Sequence, residues 1–230
     1  MSSRGPAALP RVAILDYGAG NLVSIGRALE VVGARPVIAT GAAALRDVDA
    51  LVVPGVGAAA PAMVRLHRRG LVRAIRGWVA AGRPLLGICL GLQLLFEGSD
   101  EDGARTLGIL PGRTVRLAGA PRLPHIGWND VVRRRPHWLF DGIADGAAFY
   151  FVHSYVACPA GAGASRLVVA DTTHGESFAS AVARGLLAGV QFHPERSGAD
   201  GLRLLRNFVT AATLGGPADA VRAVAAAGMD

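Results

Sequence analysis

The sequence predicts an α/β fold: a mostly parallel twisted sheet flanked by helices, with additional β-strands in the second half. Three observations predict it. Short apolar runs alternate with helix-period patterns from Arg11 to about Glu97, the alternation that builds βαβ units. From Thr114 onward, strand-like runs follow one another with turns between them. Hydrophobic residues make up 51% of the 230, which supports a folded core rather than disorder. A chain of this length buries roughly 70% of the surface its unfolded form exposes. One domain over 1–230 is expected, with a core at 11–212 and a Gly/Ala/Pro-rich tail at 214–230.

The elements follow in chain order. Arg11–Asp16 reads as the first strand. Asn21 can cap a helix whose Leu22, Ile25, Leu29 and Val32 share a face, and Gly33 stops it. Val37–Ala39 and Ala50–Val53 are the next strands. Leu71, Ile75, Trp78 and Val79 mark an amphipathic helix ending at Gly82. Leu85–Ile88 is a buried strand that runs into Cys89, and Leu90–Glu97 reads as a helix. Thr114–Leu117, Val131–Arg133, Ala148–Val152, Leu167–Ala170, Ser180–Ala183 and Leu187–Phe192 read as strands. Leu202, Leu205 and Val209 then place a last helix.

Composition narrows the function classes. Two cysteines, Cys89 and Cys158, make no disulfide framework. Met1–Arg11 lacks the apolar core of a signal peptide. The apolar stretch Leu85–Phe96 is too short to span a bilayer. A soluble cytoplasmic protein is expected, with no membrane partner. The formal charge is +7 and the 24 basic residues are all arginine. The clusters Arg68–Arg69 and Arg133–Arg135 carry no interleaved aromatics and no nucleic-acid-binding motif, so they read as solvated surface, or a face that meets an acidic partner, rather than a nucleic-acid site. The cysteines and histidines lack metal-ligand spacing, so neither metal nor cofactor is expected.

The segment Gly87-Ile88-Cys89-Leu90-Gly91-Leu92-Gln93 has the form of a nucleophile elbow. A nucleophile on a sharp strand-to-helix turn needs small residues two positions to either side. The turn would lift the sulfur above the sheet, aim a helix N-terminus at it, and point the Leu90 N–H where an oxyanion would form. A buried core cysteine at a tight crossing is the bland alternative. Cys158, before Pro159 in a Gly/Ala-rich loop, has no such surroundings. A cysteine nucleophile needs a base, and the base an orienting group. His193-Pro194-Glu195 can supply both, the Glu fixing the imidazole tautomer and leaving the other nitrogen for the thiol.

The pattern G-x-C-x-G-x-Q followed about a hundred residues later by Q-F-H-P-E resembles the class I (triad) glutamine amidotransferases. Further segments resemble their imidazole glycerol phosphate synthase branch, from histidine biosynthesis. These are Asp16–Asn21 (DYGAGN), Pro54–Gly57 (PGVG), Pro124–Asn129 (PHIGWN), Tyr150–Tyr155 (YFVHSY) and Gln191–Ser197 (QFHPERS), in the family's order. The resemblance implies a flavodoxin-like fold and roles position by position. Cys89 would form a γ-glutamyl thioester, with His193 moving protons and Glu195 holding it. Gly55, Val56 and Gly57 would lie on the oxyanion strand facing Leu90. Gln93, Glu101, Ser154 and Tyr155, with His153 beside them, would bind glutamine. Asn21, Tyr150 and Arg196 would lie near the interface with a cyclase (βα)8-barrel partner in a heterodimer. Ammonia would pass through that barrel to a site making imidazole glycerol phosphate and an aminoimidazole carboxamide ribotide.

Two departures stand out. Ala58-Ala59-Ala60-Pro61 follows Pro54–Gly57 where the family has Phe, so filling there should differ. Arg196 stands where the family has Lys, and the two differ in donor geometry. Another triad glutaminase, such as the pyridoxal-phosphate synthase subunit, and a non-catalytic regulatory subunit are the alternatives. The PGVG and PHIGWN segments argue against the first, and the intact Cys89, His193 and Glu195 against the second.

Overall fold

The computed structural model describes residues 9–214. The expected tail after Leu214 lies outside them. Five parallel strands form the centre: β1 (Arg11–Leu15), β2 (Arg35–Ala39), β3 (Ala50–Val53), β4 (Leu85–Ile88) and β11 (Leu187–Val190), in the order β2-β1-β3-β4-β11. Beyond β11 the sheet turns antiparallel through β10 (Glu176–Arg184), β9 (Val168–His174), β6 (His125–Arg133) and β7 (Ala147–His153). β5 (Gly112–Arg116) and β8 (Tyr155–Pro159) form a branch that joins at β10. This is the expected α/β fold with a parallel core and added strands.

Both faces of the parallel core are covered. Along β1, Val12 and Ile14 join one apolar cluster while Ala13 and Leu15 join the other, as period-two alternation requires. Parallel strands buried on both faces read as continuous apolar runs, which is how β3 and β4 read. On one side, α1 (Leu22–Val31) and α5 (Gly198–Thr213) lay Ile25, Leu29, Leu204, Leu205 and Phe208 on the sheet. On the other, α2 (Ala59–Arg68) and α3 (Leu71–Ala80) contribute Met63, Leu66, Ile75 and Trp78. Each such large side chain contributes about 1.5–3 kcal/mol on burial. Asn21 caps α1 as expected, its side chain accepting from the Ser24 N–H.

Several elements differ from the sequence reading. The helix expected over Leu90–Glu97 is a single turn, α4 (Leu90–Gln93). Its continuation is diverted because the carbonyls of Leu94, Leu95 and Phe96 accept from the N–H groups of Leu107, Gly108, Ile109 and Leu110. α2 and β8 are additional. α2 starts without a side-chain cap, and its Pro61 lies in the first turn, where a missing N–H is tolerated. β6 runs the full length of His125–Arg133 rather than Val131–Arg133. β11 stops at Val190, so Gln191 and Phe192 already belong to the loop that carries His193.

Candidate active site

β3, β4 and β11 are adjacent and parallel, so their carboxyl ends open on the same edge. Open α/β sheets place ligands outside those ends. The register pairs Val53 with Gly87 and Val190 with Ile88, which brings three loops level. They are Pro54–Ala58 after β3, Cys89 after β4, and Gln191–Glu195 after β11.

Cys89 has φ 54° and ψ −110° and is the only described non-glycine residue with positive φ. Such a conformation costs on the order of 1–3 kcal/mol and persists where the surroundings impose it. They do so here. A Cβ on Gly91 would lie 1.8 Å from the Val53 carbonyl oxygen, and one on Gly87 would lie 2.7 Å from the Gly91 oxygen. The G-x-C-x-G spacing is therefore a packing requirement, as read from the sequence. The Cys89 N–H donates to Val190 O at 2.8 Å, which ties the elbow to β11. Because α4 is one turn long, the expected helix-dipole support for the sulfur reduces to the N–H groups of that turn.

His193 Nδ1 lies 2.9 Å from Glu195 Oε1, and both side chains are buried. Burial alone would push the imidazole down. Interaction with Cys89 and the hydrogen bond to Glu195, with the charges both can carry, outweigh it and raise the His193 pKa to about 10. Nε2, the nitrogen away from the carboxylate, is buried and has no hydrogen-bond partner among the described residues, which leaves it for the thiol. A thiol beside that nitrogen, with a carboxylate behind the ring, is an arrangement that can move a proton off sulfur and hold the resulting cation.

A cavity of about 290 Å³ opens over the sulfur, lined by Val56, Gly57, Ala58, Cys89, Leu90, Gln93, Glu101, Pro124, Val152, His153, Ser154 and Tyr155. Eight of the nine residues expected to bind substrate line it. The ninth, Gly55, is buried behind the cavity, where a Cβ would stand 2.6 Å from the Tyr17 hydroxyl and 2.8 Å from Leu90 Cβ. Partial burial and neighbouring Asp102 raise the Glu101 carboxyl above its ordinary range. A larger cavity of about 420 Å³ lies between β8 and β10 and holds none of Cys89, His193 and Glu195. Among the described residues, no group of three or more His, Cys, Asp or Glu side chains is placed to hold a metal ion.

The structure adds residues to which the sequence reading gave no role. The Tyr17 hydroxyl donates to the Pro54 carbonyl at 2.6 Å, anchoring the start of the β3 loop. Burial, the largest influence, and nearby Cys89 push that phenol up, so it stays neutral. Behind His153 runs a hydrogen-bonded chain. Asn129 Nδ2 lies 3.2 Å from His125 Nε2, His125 Nδ1 lies 3.0 Å from His153 Nε2, and His153 Nδ1 lies 3.1 Å from Tyr155 O. An amide NH2 can only donate and a carbonyl only accept, so both rings are neutral with the proton on Nδ1. Burial, helped by neighbouring histidines, lowers His125 to about 4 and His153 to about 3. Gln191, fully buried, directs its amide at the Cys89 sulfur. Tyr17, Asn129, His125 and Gln191 all belong to the motif segments, and that membership was the available signal.

The residues expected near a partner lie on or against the segment that carries His193 and Glu195. Arg196 is exposed and lies over the Tyr150 ring at 4.5 Å, and Tyr150 meets Trp128 edge-on at 6.1 Å. Trp128 and Ile126 are 58% and 60% exposed, large apolar side chains left facing solvent. Asn21 caps α1, which packs against the Pro194–Arg196 turn. The family's missing Phe after Gly57 is answered by α2, where Ala59 and Ala62 are buried against the second apolar cluster. The basic clusters are locally engaged: Arg69 with Asp16, Arg133 with Asp145 at 3.4 Å, and Arg134 with Asp171. Cys158 is exposed and remote from His193 and Glu195. No helix of the described residues is long and apolar enough to cross a membrane.

Comparison with known proteins bears on the whole arrangement. The family model described as glutamine amidotransferase class-I matches residues 13–212. The imidazole glycerol phosphate synthase subunit HisH of Moorella thermoacetica is 46% identical over 198 residues, covering 86% of this chain and 93% of the relative. The subunit of the same name from Thermosynechococcus vestitus is 48% identical over 204 residues, covering 87% and 96%. The structure of PurLQS from Thermotoga maritima superimposes with a TM-score of 0.68 at 19% identity, covering 87% of this chain and 97% of that one. A second solved structure, titled as a glutamine amidotransferase, gives 0.68 at 24% identity, covering 88% and 98%. These two likenesses establish the fold, and the sequence matches establish the family: the chain belongs to the class-I glutamine amidotransferases, in the group of imidazole glycerol phosphate synthase HisH subunits.

Proposed function

We propose that this chain hydrolyses glutamine with Cys89, His193 and Glu195 and delivers the ammonia to a cyclase (βα)8-barrel subunit in a cytoplasmic heterodimer. The observation that carries the reading is that Cys89 and the His193–Glu195 pair follow the ends of adjacent parallel strands, with one cavity opening over the sulfur. The domain doing this chemistry spans about residues 11–212.

His193 Nε2 takes the proton from Cys89 Sγ, and Glu195 steadies the imidazolium. The sulfur attacks the side-chain carbonyl carbon of glutamine. An S–C bond forms and the C=O π pair moves to oxygen, where the Leu90 N–H and a donor from Gly55–Gly57 receive it. Collapse re-forms C=O and breaks C–N. His193 gives its proton to the departing nitrogen, which leaves as ammonia. Water then attacks the thioester, His193 takes the water's proton, and the S–C bond breaks. The sum is glutamine plus water to glutamate plus ammonia. Gln93, Glu101, His153, Ser154 and Tyr155 hold the substrate in the cavity. Free ammonia would be protonated in water and lost, so its production has to be coupled to its use. The exposed Trp128, Ile126 and Arg196, with half-buried Tyr150 between Trp128 and Arg196, suit a docked partner that shields the transfer.

Cys89→Ala tests the reading. Glutamine-dependent synthesis by the two-subunit complex should vanish while synthesis from ammonium salts continues. Substantial glutaminase activity in that variant would exclude Cys89 as the nucleophile. Cys158→Ala should behave as wild type.

A further inference from the structure

We infer that Gln191 is a further catalytic residue of this site: its side-chain amide donates to the Cys89 sulfur and stabilises the thiolate each time it forms. The inference rests on Cys89 being the nucleophile.

Amide orientation is the first requirement, because nitrogen and oxygen of a glutamine look alike unless the network distinguishes them. Here it does. Gln93 Nε2 lies 2.8 Å from the Tyr155 carbonyl, a group that can only accept. That fixes the Gln93 NH2. Its second N–H faces Gln191 Oε1 at 3.1 Å. With Gln191 Oε1 so engaged, its NH2 is turned toward Cys89, and Nε2 lies 3.6 Å from Sγ. Gln191 is fully buried, so water does not compete for this donor.

The value of the contact depends on the sulfur's charge. An N–H to a neutral thiol is a weak hydrogen bond, and one to a thiolate is charge-assisted. The thiolate arises twice in the cycle, once when His193 takes the proton and again when the thioester breaks and sulfur leaves. His193 manages the proton and Gln191 the charge left behind. The Val152 carbonyl, 3.9 Å from Sγ, can only accept from the thiol and gives no support once the proton is gone. A merely structural Gln191 would link β11 to α4 through Gln93 and leave sulfur reactivity unchanged.

The test uses the two-subunit complex in a Cys158→Ala background, comparing Gln191→Met, which keeps the volume, with Gln191→Glu. The latter keeps the oxygen that accepts from Gln93 but turns a carboxylate oxygen toward sulfur. The readouts are the rate of Cys89 alkylation by iodoacetamide at pH 8, kcat and KM for glutamine, and ammonium-dependent synthesis as the check on folding. Both variants should alkylate about 10- to 100-fold more slowly, the range expected for a lost donor to a charged group. kcat should fall in step, KM should stay within about twofold, and ammonium-dependent synthesis should persist. Wild-type alkylation in either folded variant overturns the inference, as does a loss confined to KM. If Gln191→Met fails to fold, Gln191→Glu decides alone. A Cys89→Ala complex that still hydrolyses glutamine would overturn the reading beneath. A dead Cys89→Ala beside a normally reactive Gln191→Glu would overturn only the role of Gln191.

Discussion

The loops on either side of the sulfur are built in opposite ways. At the elbow, a Cβ on Gly87 would overlap the Gly91 backbone and one on Gly91 the Val53 backbone of β3, and Cys89 is held at φ 54°. The loop after β3 begins just as tightly, with Pro54 bonded to Tyr17 and Gly55 wedged between Tyr17 and Leu90. Two residues later the constraint has gone. Gly57 sits at φ +89° with nothing within 4 Å of its would-be Cβ, and Val56 is 50% exposed. The nucleophile is fixed, whereas the strand that should supply the second oxyanion donor is anchored at one end and free at the other. Such a loop can rotate a peptide unit without disturbing the core, and glycines flanking Val56 make that rotation inexpensive. On the proposed mechanism, the contrast keeps Cys89 fixed and leaves the oxyanion hole to be completed by the loop after β3.

The largest expected effect comes from loading the fixed side. Gly91→Ala would drive its methyl into Val53 O, a backbone atom of β3 that cannot give way alone. We expect a stability loss above about 3 kcal/mol and no glutaminase activity. Gly57→Ala meets no atom and incurs only the strain of positive φ, of order 1–2 kcal/mol, so it should stay folded. Denaturant midpoints of the two variants decide the matter. Equal losses would abolish the distinction between a locked and an open loop.

Next in size is the donor itself. Val56→Pro removes the N–H that the open segment can turn toward the cavity. The expected loss is about 10²–10³-fold in glutamine turnover, with ammonium-dependent synthesis intact. Steady-state activity of the chain alone, with its partner, and with partner plus nucleotide ligand reads the same feature from the other side. Full activity in the isolated chain would mean that the hole needs no completing. Full activation of Val56→Pro by ligand would place the donor elsewhere. A ligand that favours one orientation must do so by a difference in free energy between the two.

The same contrast separates what the sequence revealed from what it hid. The elbow was legible because its pattern is local: Gly87 and Gly91 stand two residues either side of Cys89. The pair His193 and Glu195 was legible for the same reason. The parallel core showed in the continuous apolar runs of β3 and β4. Contacts between distant segments were hidden. Gln93 meets Gln191 across 98 positions, and His125 meets His153 across 28 because β6 begins well before its apolar part. α4 stopped early because a segment more than ten residues on captured its carbonyls, which helix propensity cannot foresee. α2 lacked a capping side chain, and so the start signal by which α1 was found.

The smallest expected effect is a pH dependence of stability that tells the base from the wall behind it. His193 is held above its ordinary value, at about 10, so folding favours its protonated form. Its contribution is complete below about pH 6.5 and is lost as pH rises through 10. His125 and His153 are held below theirs, at about 4 and about 3, so folding favours their neutral forms. Their contribution is complete above about pH 6.5 and is lost as pH falls through 4 and then 3. The acid and alkaline limbs therefore belong to different histidines. His125→Gln keeps a polar side chain beside Asn129 and His153 but cannot titrate. It should soften the acid limb, by about 2–4 °C in thermal midpoint for each kcal/mol recovered, and leave the alkaline limb unchanged. Glu195→Gln should do the reverse, since its amide can still accept from His193 Nδ1 but carries no charge to hold the imidazolium. Midpoints recorded from pH 4 to pH 10 for wild type and both variants separate the limbs. If His125→Gln altered the alkaline limb, or Glu195→Gln the acid one, the base and the wall would be one coupled system rather than two.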